Sequence, residues 1–225
     1  MSLAALIFDV DGTLAETEEV HRDSFNHAFI ENGLDWHWDR PLYRDLLKVA
    51  GGRERLRAFA PDASDELVAT LHAAKTAHYT RMASEGALSL RPGILPLIAQ
   101  ARAEGLKLAL ATTTSRANIV ALLGPKRCDW FDVIVSGEDT PKKKPDPSVY
   151  HMVLDRLGVP ARQCLVIEDS AHGVQAARAA GLDVVVTESV YTGGDDFTGA
   201  LVVYPDLGSV DLDRLRRVRA AARGK

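Results

Sequence analysis

Leu6-Ile7-Phe8 is apolar and stops at Asp9-Val10-Asp11-Gly12-Thr13, and no other stretch limits the possible fold so tightly. A short apolar run that ends in turn residues is the pattern of a strand buried on both faces, as in a parallel sheet. In open α/β sheets, ligands bind just beyond the carboxyl ends of such strands. Asp9 and Asp11 therefore stand where chemistry would gather, and Gly12 permits a tight turn that lets both face one crevice. Acidic residues capping an ordinary strand would give the same local pattern, so two aspartates decide nothing alone. A calcium loop of the EF-hand kind is ruled out, because its glycine and final glutamate positions hold Leu14 and Val20.

From Glu16 to Ala87 the pattern is helical. Val20, Phe25, Ala28 and Phe29 recur at helical spacing and Gly33 ends the run. Pro41 suits the first turn of a second helix, Gly51-Gly52 breaks it, and helices follow over 53–59 and 65–82. After Arg91-Pro92-Gly93 strands are expected at 106–111, 133–135, 164–167, 184–186 and 201–204. Helices are expected between them at 95–103, 118–123, 147–157 (with Asp146 as N-cap) and 174–180. Such alternation predicts an α/β fold with a mainly parallel sheet. The core domain is expected to comprise residues 1–15 and 88–225, with an all-helical domain, residues 16–87, inserted.

Composition excludes several function classes. The 225 residues are 46% hydrophobic and 26% charged with a formal charge of −4, which gives no electrostatic reason for a nucleic-acid or membrane partner. No apolar segment approaches the roughly 20 residues that span a bilayer. The first apolar run ends at Asp9, so no signal-peptide pattern is read, and two cysteines without zinc spacing fit a reducing cytosol. The basic tail after Arg214 carries Leu215 and Val218 at helical spacing, which predicts a docked terminal helix rather than a nucleic-acid arm.

Three further strand ends carry polar groups in order. Thr112-Thr113-Thr114-Ser115 offers hydroxyls and N–H groups before a helix, a place for phosphate oxygens. Lys144 precedes Pro145, and Glu168-Asp169-Ser170 closes the fourth strand. Each has a plain structural explanation on its own, but all of them at successive strand ends make a strong signal. Asp9-Val-Asp-Gly-Thr13, Thr112, Lys144-Pro145 and Glu168-Asp169 together resemble the four signatures of the haloacid-dehalogenase (HAD) superfamily of phosphohydrolases. The run Glu168-Asp-Ser-Ala-His-Gly173 and the helical insertion resemble its β-phosphoglucomutase-like branch. Trp36-x-Trp38-Asp39, Gly51-Gly-Arg-Glu-Arg55, His72-x-x-Lys75 and Thr112-Thr-Thr-Ser115 with Asn118 are similar to CbbY-type phosphatases of that branch.

The resemblance implies a Rossmann-like HAD core, an inserted helical cap and a Mg²⁺ held by Asp9, the Asp11 carbonyl and Asp169, with Glu168 behind it. Asp9 is expected to attack phosphorus and form a phospho-aspartate, Asp11 to act as acid and base, Thr112 and the Thr113 N–H to grip the phosphoryl oxygens, and Lys144 to offset the Asp9 and phosphate charges. Glu16, Thr17, His21, Gly51, Gly52, Arg53, His72, Lys75, Thr113, Thr114, Ser115, Arg116 and Asn118 are expected to meet the substrate. For a bisphosphate, Arg53 and Arg116 are the expected holders of the second phosphate. Arg53 stands where the family commonly has Lys, and a planar guanidinium is not equivalent to an ammonium. The substrate implied is a small sugar phosphate, foremost xylulose 1,5-bisphosphate converted to xylulose 5-phosphate, by a monomeric cytosolic enzyme. A β-phosphoglucomutase-like mutase and a phosphoglycolate phosphatase are alternatives within the class, and a non-catalytic HAD-fold binding module is the alternative outside it.

Overall fold

A computed structural model describes residues 2–224. The first apolar run forms β1 (Ala5–Phe8), wholly buried. Four helices follow: α1 (Glu18–Glu31), α2 (Arg40–Leu46), α3 (Gly52–Phe59) and α4 (Asp65–Ser84). Local chemistry sets their starts. Asp39 caps α2 by accepting the Leu42 N–H, Pro41 lies in its first turn, and Ser64 caps α4 through the Leu67 N–H.

Strand and helix then alternate. The order is α5 (Ile94–Ala103), β2 (Lys107–Ala111), α6 (Arg116–Leu123), α7 (Pro125–Cys128), β3 (Val133–Val135), α8 (Ser148–Leu157), β4 (Cys164–Glu168), α9 (Ala171–Ala179), β5 (Asp183–Thr187), β6 (Val203–Tyr204) and α10 (Leu212–Arg223). A 3-10 turn at Ala161–Gln163 leads into β4. α7 and this turn are too short to leave a periodic signal. α8 begins at Ser148 with Pro147, not Asp146, at the N-cap position. The Asp146 carboxylate still accepts the Ser148 N–H at 2.9 Å, so it satisfies the first turn from one residue further out.

All strand pairs are parallel, in the order β3-β2-β1-β4-β5-β6. β1 is the point where the chain changes direction across the sheet. Phe8 is in register with Leu110 on one side and Ile167 on the other, so the segments after β1, β2 and β4 leave the sheet side by side. That juxtaposition puts the polar strand ends at a topological switch point.

Alternate residues of the strands feed two apolar layers. Leu6, Phe8, Leu108, Leu110 and Ile167 pack with residues of α5 and α10, and Ile7, Ala109, Val166 and Val184 pack with α8 and α9. The inserted helices carry an apolar cluster of their own around Phe25, Phe29, Trp38, Tyr43, Leu56 and Leu71. α10 docks as expected: Leu212 and Leu215 are buried, Arg216 pairs with Glu104, and Arg219 and Arg223 pair with Asp183. Among the described residues no helix is long and apolar enough to cross a membrane.

Candidate active site

β1 delivers Asp9 and β4 delivers Glu168 and Asp169 to one spot, where oxygens of the three carboxylates lie within 4.8 Å of one another. All three are buried. Lys144 reaches the same spot from the segment before α8 and spends its three protons there. Its Nζ donates to Asp9 Oδ1 at 2.6 Å, to Glu168 Oε1 at 2.6 Å and to the Ala111 carbonyl at 2.9 Å. Tyr150 of α8 adds a hydrogen bond to Glu168 Oε1 at 2.7 Å. Gly12 makes room for this approach, since a Cβ there would sit 2.0 Å from Asp169 Oδ2, and its φ of 77° lies in the left-handed region.

The electrostatics follow from three acids facing one ammonium. Burial, with Glu168 and Asp11 nearby, holds the Asp9 carboxyl well above its ordinary range even though Lys144 pulls it down. Burial and the charges of Asp9 and Glu168 do the same to Asp169. Burial alone would lower Lys144, but Asp9 and Glu168 outweigh it and raise its pKa. A hard divalent cation would offset the surplus negative charge. An all-oxygen donor set of this size suits Mg²⁺.

Asp11 is turned away from that cluster. Its Oδ1 accepts the Thr17 hydroxyl at 2.6 Å and faces His21 Nε2 at 3.0 Å. Lys75, from α4, donates to His21 Nδ1 at 2.8 Å, which leaves Nε2 as the protonated nitrogen and donor to Asp11. Burial would raise the Asp11 carboxyl, but His21, Thr17 and the Lys75 charge bring it down to about 2. Burial and Lys75 lower His21 and keep the ring neutral, and it stacks on Tyr79 at 4.1 Å between ring centroids.

These groups open onto a cavity of about 480 Å³ between the sheet and the inserted helices. Asp9, Asp11, Thr112, Lys144 and Asp169 form its floor, and Thr113, Thr114, Ser115 and Asn118 one wall. That wall is tied together internally. The Thr114 N–H donates to Thr112 Oγ1, Ser115 caps α6, and Asn118 Nδ2 donates to Thr114 Oγ1. His21, Gly51, Gly52, His72 and Lys75 face the cavity from the helices. Burial, with the charges of Lys75 and Arg53, lowers His72 to about 4 and leaves it neutral.

Five of the expected residues do not line the cavity. Glu168 is fully buried behind Asp9 and Lys144. Thr17 acts on Asp11. Glu16 pairs with Arg91 at 3.2 Å and accepts the Val190 N–H. Arg53 and Arg116 are exposed, because the inward faces of their short helices are taken by Arg55 and Leu56 in α3, and by Asn118, Ile119 and Leu123 in α6. Arg116 instead borders a separate shallow groove with Arg81 and Val120. Neither Arg53 nor Arg116 lines the cavity, although the Arg53 charge lowers the pKa of His72, which does. Besides Lys75, the cations at the cavity's helical side are Arg55, which closes the Gly51–Arg55 motif but was not expected to meet the substrate, and Arg44 and Lys48, which belonged to no motif.

Sequence reasoning also passed over His172 and the loop after β5. Tyr191 and Thr192 of that loop line the cavity. Tyr191 bonds Glu19 and packs edge-on to Tyr43, and the Gly193 carbonyl accepts Arg44 Nη2 at 2.6 Å. The loop thereby clasps the inserted helices to the sheet. A polar strand end after β5 was the available signal, in Thr187-Glu188-Ser189.

A parallel sheet with inserted helices and this acidic cluster beside a lysine define a HAD-type phosphoric monoester hydrolase. Residues 6–187 match the family of haloacid dehalogenase-like hydrolases, and the chain belongs to it. It is 52% identical over 219 residues to plasmid-borne Protein CbbY of Cupriavidus necator, covering 92% of this chain and 86% of that protein. It is 49% identical over 217 residues to Protein CbbY of Rhodobacter capsulatus, covering 93% and 96%. Its fold superimposes with a TM-score of 0.91 on a mutant CbbY from Rhodobacter sphaeroides solved in complex with xylulose-(1,5)bisphosphate, at 41% identity and covering 95% and 99% of the two chains.

Proposed function

We infer that the chain removes one phosphate from a small sugar bisphosphate, with xylulose 1,5-bisphosphate as the foremost substrate and xylulose 5-phosphate as product. The carrying observation is a cavity charged in opposite senses at its two sides. Asp9, Asp169 and Lys144 lie at the floor, and Arg44 of α2 and Lys48 just beyond that helix lie opposite, Lys48 paired with Asp45. A monophosphate needs only the first group, whereas a second phosphate needs a cation some distance away. The complex of the Rhodobacter sphaeroides relative supports the same ligand.

Asp9, Asp169 and the carbonyl of Asp11 would hold a Mg²⁺, with Glu168 supporting from behind. The ion would supply charge neutralisation for an anionic nucleophile meeting an anionic ester. Lys144 fixes the Asp9 carboxylate at 2.6 Å and shares that neutralisation. An Asp9 oxygen attacks phosphorus, the bond to the sugar oxygen breaks, and a phospho-aspartate forms. Asp11 gives its proton to the departing oxygen, then takes one from the water that cleaves the intermediate and so is reset for the next cycle. Thr17 and His21 keep the Asp11 carboxylate low, which suits the second step. Burial and an incoming phosphate push it upward for the first. Thr112 and the N–H of Thr113, both residues lining the cavity, would grip the transferring oxygens.

The test is a Mg²⁺-dependent panel of xylulose 1,5-bisphosphate, ribulose 1,5-bisphosphate, phosphoglycolate and β-glucose 1-phosphate, with released phosphate and isomerised sugar both measured. Phosphate release with the highest kcat/KM on xylulose 1,5-bisphosphate is expected, falling roughly ten- to a hundredfold in Arg44→Ala on bisphosphates. Isomerised sugar phosphate as the main product, or a preference for phosphoglycolate, would overturn the reading.

A further inference from the structure

We propose that Glu18 reads a hydroxyl group of the substrate, and that Tyr43 and Arg55 are positioning residues that aim it. The proposal deepens the sugar-phosphate reading and rests on it. Glu18 opens α1 and lines the cavity, yet it takes no part in the acid–base pairing of Asp11, Thr17, His21 and Lys75. A second buried chain leads to it instead. Tyr43 OH donates to Glu18 Oε2 at 2.7 Å, and Arg55 Nη1 donates to Tyr43 OH at 3.0 Å.

Arg55 is itself pinned. Its Nε donates to the Leu46 carbonyl at 3.2 Å and its Nη2 to the Val49 carbonyl, and its guanidinium lies 5.2 Å from the Tyr43 ring centroid. Tyr43 is fully buried and Arg55 nearly so. Three elements, α1, α2 and α3, thus converge on one carboxylate.

An acid on the wall of a cavity that receives phosphates is unfavourable unless it has an acceptor's task. Glu18 stands close enough to Asp169, His21 and Lys75 to shift each of them electrostatically, so its charge is felt at the reacting end. An ionised carboxylate offers about four lone-pair sites, and Tyr43 uses one oxygen. A substrate hydroxyl is the donor that such an oxygen can accept, while another phosphate would be repelled. A site built to bond a hydroxyl also rejects analogues that lack it. The substrate class is therefore a phosphate ester whose carbon chain bears hydroxyls near the scissile end.

The experiment crosses Glu18→Gln and Tyr43→Phe with a sugar phosphate that the wild type hydrolyses, its single-deoxy analogues, and p-nitrophenyl phosphate. Glu18→Gln is expected to lose roughly ten- to a hundredfold more kcat/KM on the sugar phosphate than on p-nitrophenyl phosphate. Against one deoxy analogue that extra loss should vanish, which names the hydroxyl. Tyr43→Phe should show the same substrate pattern at smaller size, and it serves if Glu18→Gln fails to fold. Equal losses on every substrate, or none, would mean that Glu18 is structural and would overturn the proposal. A wild type that hydrolyses sugar monophosphates better than bisphosphates would overturn the bisphosphate reading and leave the Glu18 cycle measurable.

Discussion

Two lysines at this site are buried for different ends. Lys144 has acceptors for all three of its protons, two of them carboxylates, and its charge is secured. Lys75 meets only the neutral His21 ring and the faces of Phe25 and Tyr79. Burial lowers Lys75 from 10.5 to about 8, with Arg55 adding to the effect and Asp11 and Glu18 opposing it. Between those two pH values the unfolded chain carries a proton that the folded chain has shed, so this group makes stability rise with pH there. The penalty for burying the charge is full below pH 8. Urea unfolding of wild type and Lys75→Met at pH 7 and pH 10 should therefore show the variant's relative stability falling by about 3 kcal/mol as pH rises. A difference that stays flat would mean that Lys75 is not held at a lowered pKa.

At the scale of elements, the strand ends were legible, and on the helical side His21, Gly51, Gly52, His72 and Lys75 were legible while Arg44 and Lys48 were not. Asp9, Thr112 and Asp169 follow apolar runs closed by turn residues, and a parallel sheet brings such positions together whatever its details, while Lys144 stood out by the Pro145 that follows it in the polar segment before α8. Arg53 and Arg44 show the opposite case. Arg53 opens α3 and Arg44 lies in the last turn of α2, and the rotation of each helix against its neighbours decides that Arg44 lines the cavity while Arg53 does not. Arg91 carried no motif at all, yet its guanidinium bonds carbonyls of Gly12, Glu188 and Pro205 and so ties the catalytic turn to the loop after β5. Packing at the α9 start makes a sharper prediction. A Cβ on Gly173 would lie 1.9–2.1 Å from the Glu168 carboxylate, which Lys144 and Tyr150 hold in place. Gly173→Ala should fold but displace Glu168, weakening Mg²⁺ binding by roughly ten- to a hundredfold in calorimetric titration. Unchanged affinity would show that Glu168 gives the metal no support.

The molecule as a whole sets two separately packed apolar bodies on either side of one cavity. The sheet supplies Asp9, Asp11 and the wall from Thr112 to Ser115, and the inserted helices supply Lys75, His72, Glu18 and the cations opposite. The loop with Tyr191 and Gly193 joins them, and its contacts escaped the sequence because they pair residues about 150 positions or more apart with no recurring pattern. The central claim is that Asp9 takes the phosphoryl group onto its own carboxyl oxygen. Acid-quenching the enzyme during turnover and mapping the modified peptide by mass spectrometry tests it directly. A phosphoryl group on Asp9 is expected, together with loss of turnover in a folded Asp9→Asn variant. Undiminished phosphate release from Asp9→Asn, with no phosphoryl group on the wild-type peptide, would contradict the account.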